Sequence, residues 1–150
     1  PTHYGVSKLK AESVVKMAKS HAIIRFSSII GVGMKPETFI PKIVISAKAG
    51  AIRLIGDGRR LQNYIDVRDA AAMCISAIDY ENSFVALGIG DRSHSNEDIA
   101  KILSRLTGAK ISYEGIDQSP SFLYDDTNSA PIGRPRISIE ETLDDMVNNA

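Results

Sequence analysis

The chain has 150 residues, of which 18 are basic and 18 acidic, so its formal net charge is zero and its pI is about 7.3. Hydrophobic residues make up 43% and charged residues 24%, which excludes a disordered, collagen-like or disulfide-stapled chain. The neutral charge gives no support for binding to nucleic acid or to an anionic membrane, and no apolar run approaches the ~20 residues that span a bilayer. The single cysteine, Cys74, favours a reducing compartment, so we predict a cytoplasmic protein.

Helical and extended patterns alternate along the chain. Side chains at helical spacing predict helices over residues 4–18, 36–48, 69–80, 95–107 and 138–147. Short apolar runs predict strands over residues 22–26, 52–55, 63–67, 83–89 and 111–113. The polar segments 90–94 and 114–136 are predicted to be mostly loop. Strands that alternate with helices favour an α/β fold with some parallel sheet.

Capping signals mark several helix ends. Ser95 with Asp98 has the spacing of a capping box, in which two side chains satisfy backbone N–H groups at the helix start. Ser138 with Glu141 repeats this spacing before the last helix. Gly108 follows the fourth helix and is predicted to end it.

In the third predicted helix, residues 69–80, the helical spacing predicts which side chains face the core. Met73, Ala77 and Ile78 are predicted to face the core. Cys74 is predicted to be a small core residue rather than a nucleophile. Asp69, at the start of the helix, is predicted to be a structural capping or first-turn acid.

Other polar residues give no metal-ligand spacing. His3, His21 and His94 are predicted to lie on exposed loops or turns that are separate from one another. Asp125 and Asp126 are predicted to belong to a solvated loop. We therefore predict no metal site.

The pair Tyr4 and Lys8 is the first candidate chemical site. Their i, i+4 spacing puts both side chains on one helix face, with ~5–6 Å between the Cβ atoms. A phenol has a pKa of ~10, and a neighbouring ammonium favours its phenolate form. A tyrosine in this setting can take a hydroxyl proton while a hydride leaves the same carbon. The same spacing also describes an ordinary packed ring beside a solvated amine, so the pair alone leaves both interpretations open.

The sequence around this pair resembles a known active-site helix. Residues 1–12, PTHYGVSKLKAE, are similar to that helix in extended short-chain dehydrogenases/reductases, the NAD-dependent epimerase/dehydratase family. Segments 24–31 (IRFSSIIG), 56–58 (GDG), 63–69 (NYIDVRD) and 132–135 (IGRP) resemble later motifs of the family, in the same order. The resemblance covers essentially the whole chain.

The resemblance implies the C-terminal portion of a Rossmann-type α/β enzyme with a small α/β substrate-binding region. The glycine-rich strand–turn–helix that holds a dinucleotide pyrophosphate has no match here. Residues 1–35 would be the rear part of the Rossmann domain, and residues 36–150 mainly the substrate-binding region, with 62–80 returning to the Rossmann part. We therefore expect the C-terminal half of a longer enzyme, inactive and without bound cofactor by itself.

The resemblance also implies roles toward a cofactor, NAD or NADP, in the parent enzyme. Tyr4 would be the general acid or base, and Lys8 would bind the nicotinamide ribose and acidify the tyrosine. Both would thus contact the cofactor. Phe26 and Ser27 would border the nicotinamide carboxamide.

On the substrate side, the resemblance implies contacts from Ser28, Ile40 and Gln62. Ser28 stands where the family has an asparagine, and Gln62 where many members have an arginine that grips a diphosphate. An amide is a poor replacement for a bidentate guanidinium. Arg59 and Arg60 lie nearby as candidate replacements. A nucleotide sugar is implied as the substrate by analogy.

Two functions follow. The first is an epimerase, dehydratase or reductase that acts on a sugar derivative, most simply a nucleotide sugar, with a Tyr–Lys pair and hydride transfer. The second is a non-catalytic relative that works as a binding or protein-interaction module. Exposed strand edges and apolar faces further predict a homo-oligomer.

Overall fold

The computed structural model describes residues 2–124 and 132–149, and over these residues the chain is a mixed α/β structure. The helices are α1 (His3–Val15), α2 (Phe39–Lys48), α3 (Val67–Ile78), α4 (Asn96–Thr107) and α5 (Ile139–Asn149). The strands are β1 (Ala22–Phe26), β2 (Ser28–Ile30), β3 (Ala51–Ile55), β4 (Leu61–Asp66), β5 (Phe84–Gly88), β6 (Ser93–Ser95) and β7 (Lys110–Glu114). The predicted alternation of strands and helices is therefore confirmed.

The strands pair mainly in parallel. β1 lies beside β5, β2 beside β4, and β3 beside β7. Helices separate the partners along the chain, which is the long connection that parallel pairing requires. β6 adds an antiparallel edge to β4, where Gln62 lies opposite His94.

The larger core lies between α2, β3, α4 and α5. Its fully buried side chains include Ile40, Val44, Ile52, Leu103 and Leu143. The i, i+3, i+4, i+7 spacing on α2 and the similar spacing on α4 deliver these apolar faces, because residues at this spacing share one side of a helix. This core supports the loops that follow β3 and precede α4.

A smaller core joins α3 to β4 and β5 through Ile65, Met73 and Ala86. Asp69 lies beside it in the first turn of α3 and is buried. Its carboxylate accepts hydrogen bonds from the backbone N–H groups of Arg136 and Ile137, at 3.0 and 2.9 Å. The predicted structural role of Asp69 is thus confirmed, since it holds the segment before α5 against α3.

The predicted capping residues are also confirmed, although α1 ends three residues earlier and α2 begins three residues later than predicted. Ser95 Oγ accepts from the Asp98 N–H, and Asp98 Oδ2 accepts from the Ser95 N–H, both at 3.0 Å. Gly108 ends α4 with a φ of 75°, a left-handed conformation that glycine adopts without a steric penalty. At α5, Ser138 Oγ accepts from the Glu141 N–H at 3.1 Å.

Two predictions for α3 were wrong. Ile78 is 81% exposed, and Cys74 is exposed as well. The inward face of α3 follows Asp69, Met73 and Ala77 at four-residue spacing, so the residue after Met73 and the residue after Ala77 are turned about 100° away. Cys74 and Ile78 instead line an open apolar groove beside β1.

The histidine predictions were partly wrong. His94 is 2% exposed, because residues 93–95 form strand β6 rather than an open turn. His21 is half-buried ahead of β1, whereas His3 is exposed as predicted but lies in α1 rather than in a loop. Residues 28–30 likewise form a strand that was not predicted. Asp125 and Asp126 lie outside the described residues. Three-residue strands form through pairing with a neighbour, so periodicity within so short a segment cannot reveal them.

Candidate active site and adjoining cavity

Helix α1 carries the Tyr4 and Lys8 side chains on one face. Thr2 caps the helix, its Oγ1 accepting from the Gly5 N–H at 3.1 Å. This cap fixes the first turn, in which Tyr4 is the second residue. The Lys8 Nζ lies 5.3 Å from the centroid of the Tyr4 ring, within the range of a cation–π contact. Tyr4 is 71% exposed and Lys8 is exposed as well, so both functional groups are open to a ligand.

The C-terminal end of β1 carries Phe26 and Ser27. The Ser27 N–H donates to the Gly88 carbonyl at 2.9 Å, which extends the β1–β5 pairing past the end of the strand. A Cβ on Gly88 would collide with the Phe26 ring, so the glycine allows the ring to lie against β5. The Ser27 hydroxyl is buried and has no hydrogen-bond partner among the described residues. It therefore has free hydrogen-bonding capacity at this strand end.

A bidentate ion pair joins α1 to β1. Arg25 Nε and Nη2 donate to Glu12 Oε1 and Oε2, at 2.8 and 2.7 Å. These bonds hold the pKa of the Glu12 carboxyl below its ordinary value and raise the pKa of Arg25. Both partners are thus charged at neutral pH.

A cavity of about 290 Å³ lies between α2, β3 and the start of α4. Three cationic side chains line it, Lys42, Arg53 and Arg60. One carboxylate, Asp117, lies in the lining with them, and Glu114 pairs with Arg53 at 3.5 Å, so three positive charges face two negative ones. Arg60 is held in place by a hydrogen bond from its Nε to the Pro120 carbonyl at 3.2 Å.

None of the three predicted substrate residues is among the residues that line this cavity. Gln62 is half-buried on β4, and its Nε2 donates to Asn96 Oδ1 at 3.4 Å, where Asn96 lines the cavity. Ser28 is exposed at the start of β2, opposite Tyr64 of β4. Ile40 is 1% exposed within the larger core. Ile40 is therefore a core residue and offers no surface to a ligand.

Sequence reasoning missed Lys42 and Arg53 as cavity residues. Their signal was present in the patterns that predicted α2 and β3. Arg53 alternates with the buried Ile52 and Leu54, so its side chain points away from the core. Lys42 precedes the buried Ile43 and lies at the edge of the apolar face of α2. Only the three-dimensional structure brings these two cations to the same cavity as Arg60.

His94 lies near this cavity but faces a separate polar cavity between α4 and α5. Both of its ring nitrogens are buried without a hydrogen-bond partner in the described part of the chain, and Nε2 is 3.6 Å from Asp91 Oδ1. Burial, with a further contribution from Arg92, holds the pKa of His94 below its ordinary value, although Asp91 and Asp98 oppose that shift. The histidine is therefore neutral at pH 7.

No group of three or more His, Cys, Asp or Glu residues is arranged to hold a metal ion among residues 2–124 and 132–149. Within the same residues, none of the helices is long and apolar enough to cross a bilayer.

Comparison with known proteins shows the family to which the chain belongs. The family described as NAD dependent epimerase/dehydratase matches residues 1–89, which is more than half of the chain. The chain belongs to this family.

Particular relatives agree with that assignment. A putative UDP-glucose 4-epimerase of Methanocaldococcus jannaschii is 27% identical over 161 residues, covering 97% of this chain and 52% of the relative. The crystal structure of a UDP-glucose 4-epimerase from Thermotoga maritima, with UDP-glucose, superposes with a TM-score of 0.84 at 19% identity, covering 97% of this chain and 52% of that one. A dTDP-glucose 4,6-dehydratase from Bacillus anthracis, in complex with NAD, superposes with a TM-score of 0.81 at 20% identity, covering 99% and 51%. The chain thus spans about half the length of the relatives that it matches.

Proposed function

We propose that the whole protein is an NAD(P)-dependent enzyme that epimerises, dehydrates or reduces a sugar, with a nucleotide sugar as its substrate. The observation that carries this proposal is the Tyr4–Lys8 pair. The two side chains share one face of α1, Lys8 Nζ lies 5.3 Å from the tyrosine ring, and Tyr4 is largely exposed. Membership of the epimerase/dehydratase family makes this pair the expected acid–base site.

In this proposal Tyr4 moves a proton at the sugar. Its phenolate takes the proton from a sugar hydroxyl as that carbon is oxidised, and the phenol that results returns the proton when the carbonyl is reduced. The Lys8 ammonium stabilises the phenolate that acts as the base, because an adjacent positive charge favours the ionised phenol. Lys8 also binds the cofactor ribose.

The cofactor proposed for the whole protein is NAD or NADP. One observation supports a fit between this chain and the cofactor. The Ser27 hydroxyl is buried, has no hydrogen-bond partner among the described residues and is free to bind a polar group. Phe26 precedes it and supplies an apolar surface beside it. Tyr4, Lys8, Phe26 and Ser27 would hold the nicotinamide end. When bound, the dinucleotide supplies the hydride acceptor and donor. We propose that the 150-residue chain alone does not bind it appreciably, and tight binding by calorimetry would contradict this.

The proposed anchor for the substrate is the cationic cavity. Lys42, Arg53 and Arg60 supply the positive charge that a nucleotide diphosphate requires. Arg60 supplies a guanidinium near Gln62, the position where the sequence lacks the expected arginine. Gln62 and Ser28 remain our proposals for contacts at the sugar side.

A paired substitution tests this anchor. Arg60→Gln should raise the KM for a nucleotide sugar about 10-fold or more, because hydrogen bonds to charged groups contribute about 1.5–3 kcal/mol. The matched control is Arg59→Gln, since Arg59 is exposed and pairs only loosely with Asp57, at 3.4 Å. Equal KM values for the two variants would contradict the assignment of Arg60.

The function as a whole is tested with the whole protein. Mass spectrometry of the purified protein should detect a co-purifying dinucleotide. NMR should show an NAD-dependent change in UDP-glucose, UDP-glucuronic acid or dTDP-glucose. A protein with no bound dinucleotide and no NAD-dependent change in these sugars would contradict the proposal and favour a non-catalytic binding module.

We also propose that the protein is a cytoplasmic homo-oligomer. The support for an oligomer is the exposed apolar surface of α1 and the turn after it, where Leu9, Val14 and Met17 are 54%, 67% and 85% exposed. Surfaces of this kind associate in water. A monomeric mass by light scattering at micromolar concentration would contradict this part of the proposal.

A further inference from the structure

Glu12 continues the stripe that Tyr4 and Lys8 begin. The three residues are spaced by four along α1, so each lies about 40° around the helix from the one before. Tyr4, Lys8 and Glu12 therefore lie within an arc of about 80° on one face. Whatever fixes the rotation of Glu12 about the helix axis also fixes the direction of the two proposed chemical groups.

The contact of Glu12 with Arg25 is well suited to fix that rotation. Both guanidinium nitrogens that face the carboxylate donate to it, at 2.8 and 2.7 Å. A two-point contact restricts angle as well as distance, which a single hydrogen bond does not. The Glu12 side chain is 16% exposed, so most of its surface is covered where it meets Arg25. The ion pair therefore ties one turn of α1 to a defined position on β1.

Arg25 is itself held in a fixed frame. It lies within β1, in register with Leu87 of β5, and the next two residues are Phe26 and Ser27. The Ser27 N–H donates to the Gly88 carbonyl and so extends the β1–β5 pairing past the end of β1. One side chain thus connects the strand end proposed for the cofactor with the helix face proposed for proton transfer.

We propose that the Glu12–Arg25 pair is a positioning device that aims Tyr4 and Lys8 relative to Phe26 and Ser27. The inference rests on the proposed function, because it concerns the geometry of that site. Neither residue exchanges a proton with the substrate. Their effect is on turnover, through the alignment of Tyr4 with the reacting carbon, and not on affinity for the nucleotide sugar.

Two conservative variants test this in the whole protein. Glu12→Gln keeps the shape and removes the charge, and Arg25→Lys keeps the charge and removes the two-point contact. Each should lower kcat about 10- to 100-fold, the effect of a small misplacement of reacting groups. KM should stay within about twofold, which a general loss of structure would not produce. The control is Glu81→Gln, an exposed glutamate between α3 and β5, which should leave kcat unchanged.

The double variant and amide hydrogen exchange complete the test. Because both substitutions break one contact, the double variant should be no slower than the slower single variant. Exchange in both single variants should increase in α1 and stay unchanged in β1 and β5. The proposal is overturned by kcat within twofold of the parent in both single variants, by multiplicative losses in the double variant, or by unchanged exchange in α1. If the parent protein itself shows no NAD-dependent turnover, the proposed function fails, and the exchange result alone then decides whether the pair orients α1.

Discussion

Helices α1 and α4 are held in the structure by different forces. In α4, Ile99 and Leu103 are 0% exposed, a capping box closes the N-terminus, and a left-handed glycine closes the C-terminus. In α1, no residue is buried, and the helix is joined to the rest of the described chain chiefly by the polar contact between Glu12 and Arg25. Apolar burial dominates stability, so α4 belongs to the stable framework. In the described part of the chain, α1 instead leaves most of its side chains exposed.

We therefore expect the stability of this chain and the chemistry proposed for it to depend on separate residues. Substitutions in the core formed by α2, β3, α4 and α5 should change the free energy of unfolding. Substitutions on the exposed face of α1 should leave that free energy nearly unchanged. Four predictions test this separation, from the largest expected effect on stability to the smallest.

The largest effect should come from Leu103→Ala. Removing a fully buried leucine leaves a cavity in the larger core, which costs about 2–5 kcal/mol of unfolding free energy. Urea denaturation measures it. The control is Ile78→Ala on the exposed side of α3, expected to change stability by less than about 0.5 kcal/mol. Similar losses in both variants would contradict the assignment of the core.

A smaller effect is expected from Asp69→Ala. The substitution leaves the backbone N–H groups of Arg136 and Ile137 without their acceptor, at a cost of about 1.5–3 kcal/mol. Thermal or urea unfolding measures the loss, with Asp79→Ala at the exposed end of α3 as the control. Hydrogen exchange should also increase at residues 136–137. A variant as stable as the parent would show that these bonds contribute nothing.

His94 should make stability depend on pH. Burial holds its pKa in the folded protein below that in the unfolded chain, so as pH falls the unfolded chain takes up the proton first. The contribution of His94 is therefore fully present above a pH of about 6.5, the ordinary histidine pKa, and is lost as pH falls through the folded-state pKa. His94→Gln should flatten the decline of stability below pH 7. Parallel pH curves for parent and His94→Gln would contradict the burial of a neutral imidazole.

The smallest effect on stability should come from Tyr4→Phe. The hydroxyl lies on a side chain that is 71% exposed, so its removal should change the unfolding free energy by less than about 0.5 kcal/mol. Urea denaturation of parent and variant measures it. A loss above about 1 kcal/mol would show that Tyr4 stabilises the fold, and would contradict the division between stabilising residues and residues proposed for chemistry.

The long periodic segments were predictable from the sequence. The sequence alone predicted α4, from the spacing of Ile99 and Leu103 and from the capping box of Ser95 with Asp98. Both signals are local, because they depend only on residues of the helix and its cap. The same holds for α2 and for the shared face of Tyr4 and Lys8. The parallel pairing also followed, because strands alternated with helices.

What failed depended on contacts distant in sequence. His94 is buried because β6 pairs with β4, and no pattern within residues 93–95 predicts that pairing. Cys74 follows Met73, which belongs to the row of α3 side chains that face the core. The side chains of β4 and β5 that pack against α3 decide which row faces the core. The cavity could not be predicted for the same reason, since Lys42, Arg53 and Arg60 belong to three separate segments.

Tyr4 is the residue that we propose to transfer the proton in the reaction of the whole protein. The most direct measurement is the turnover of Tyr4→Phe with a nucleotide sugar, beside Tyr80→Phe, which removes a hydroxyl at the end of α3 away from the proposed site. Tyr4→Phe should lower turnover about 10²-fold or more, the range for a lost acid–base group, while Tyr80→Phe stays at the parent rate. Equal turnover in Tyr4→Phe and the parent would contradict the claim.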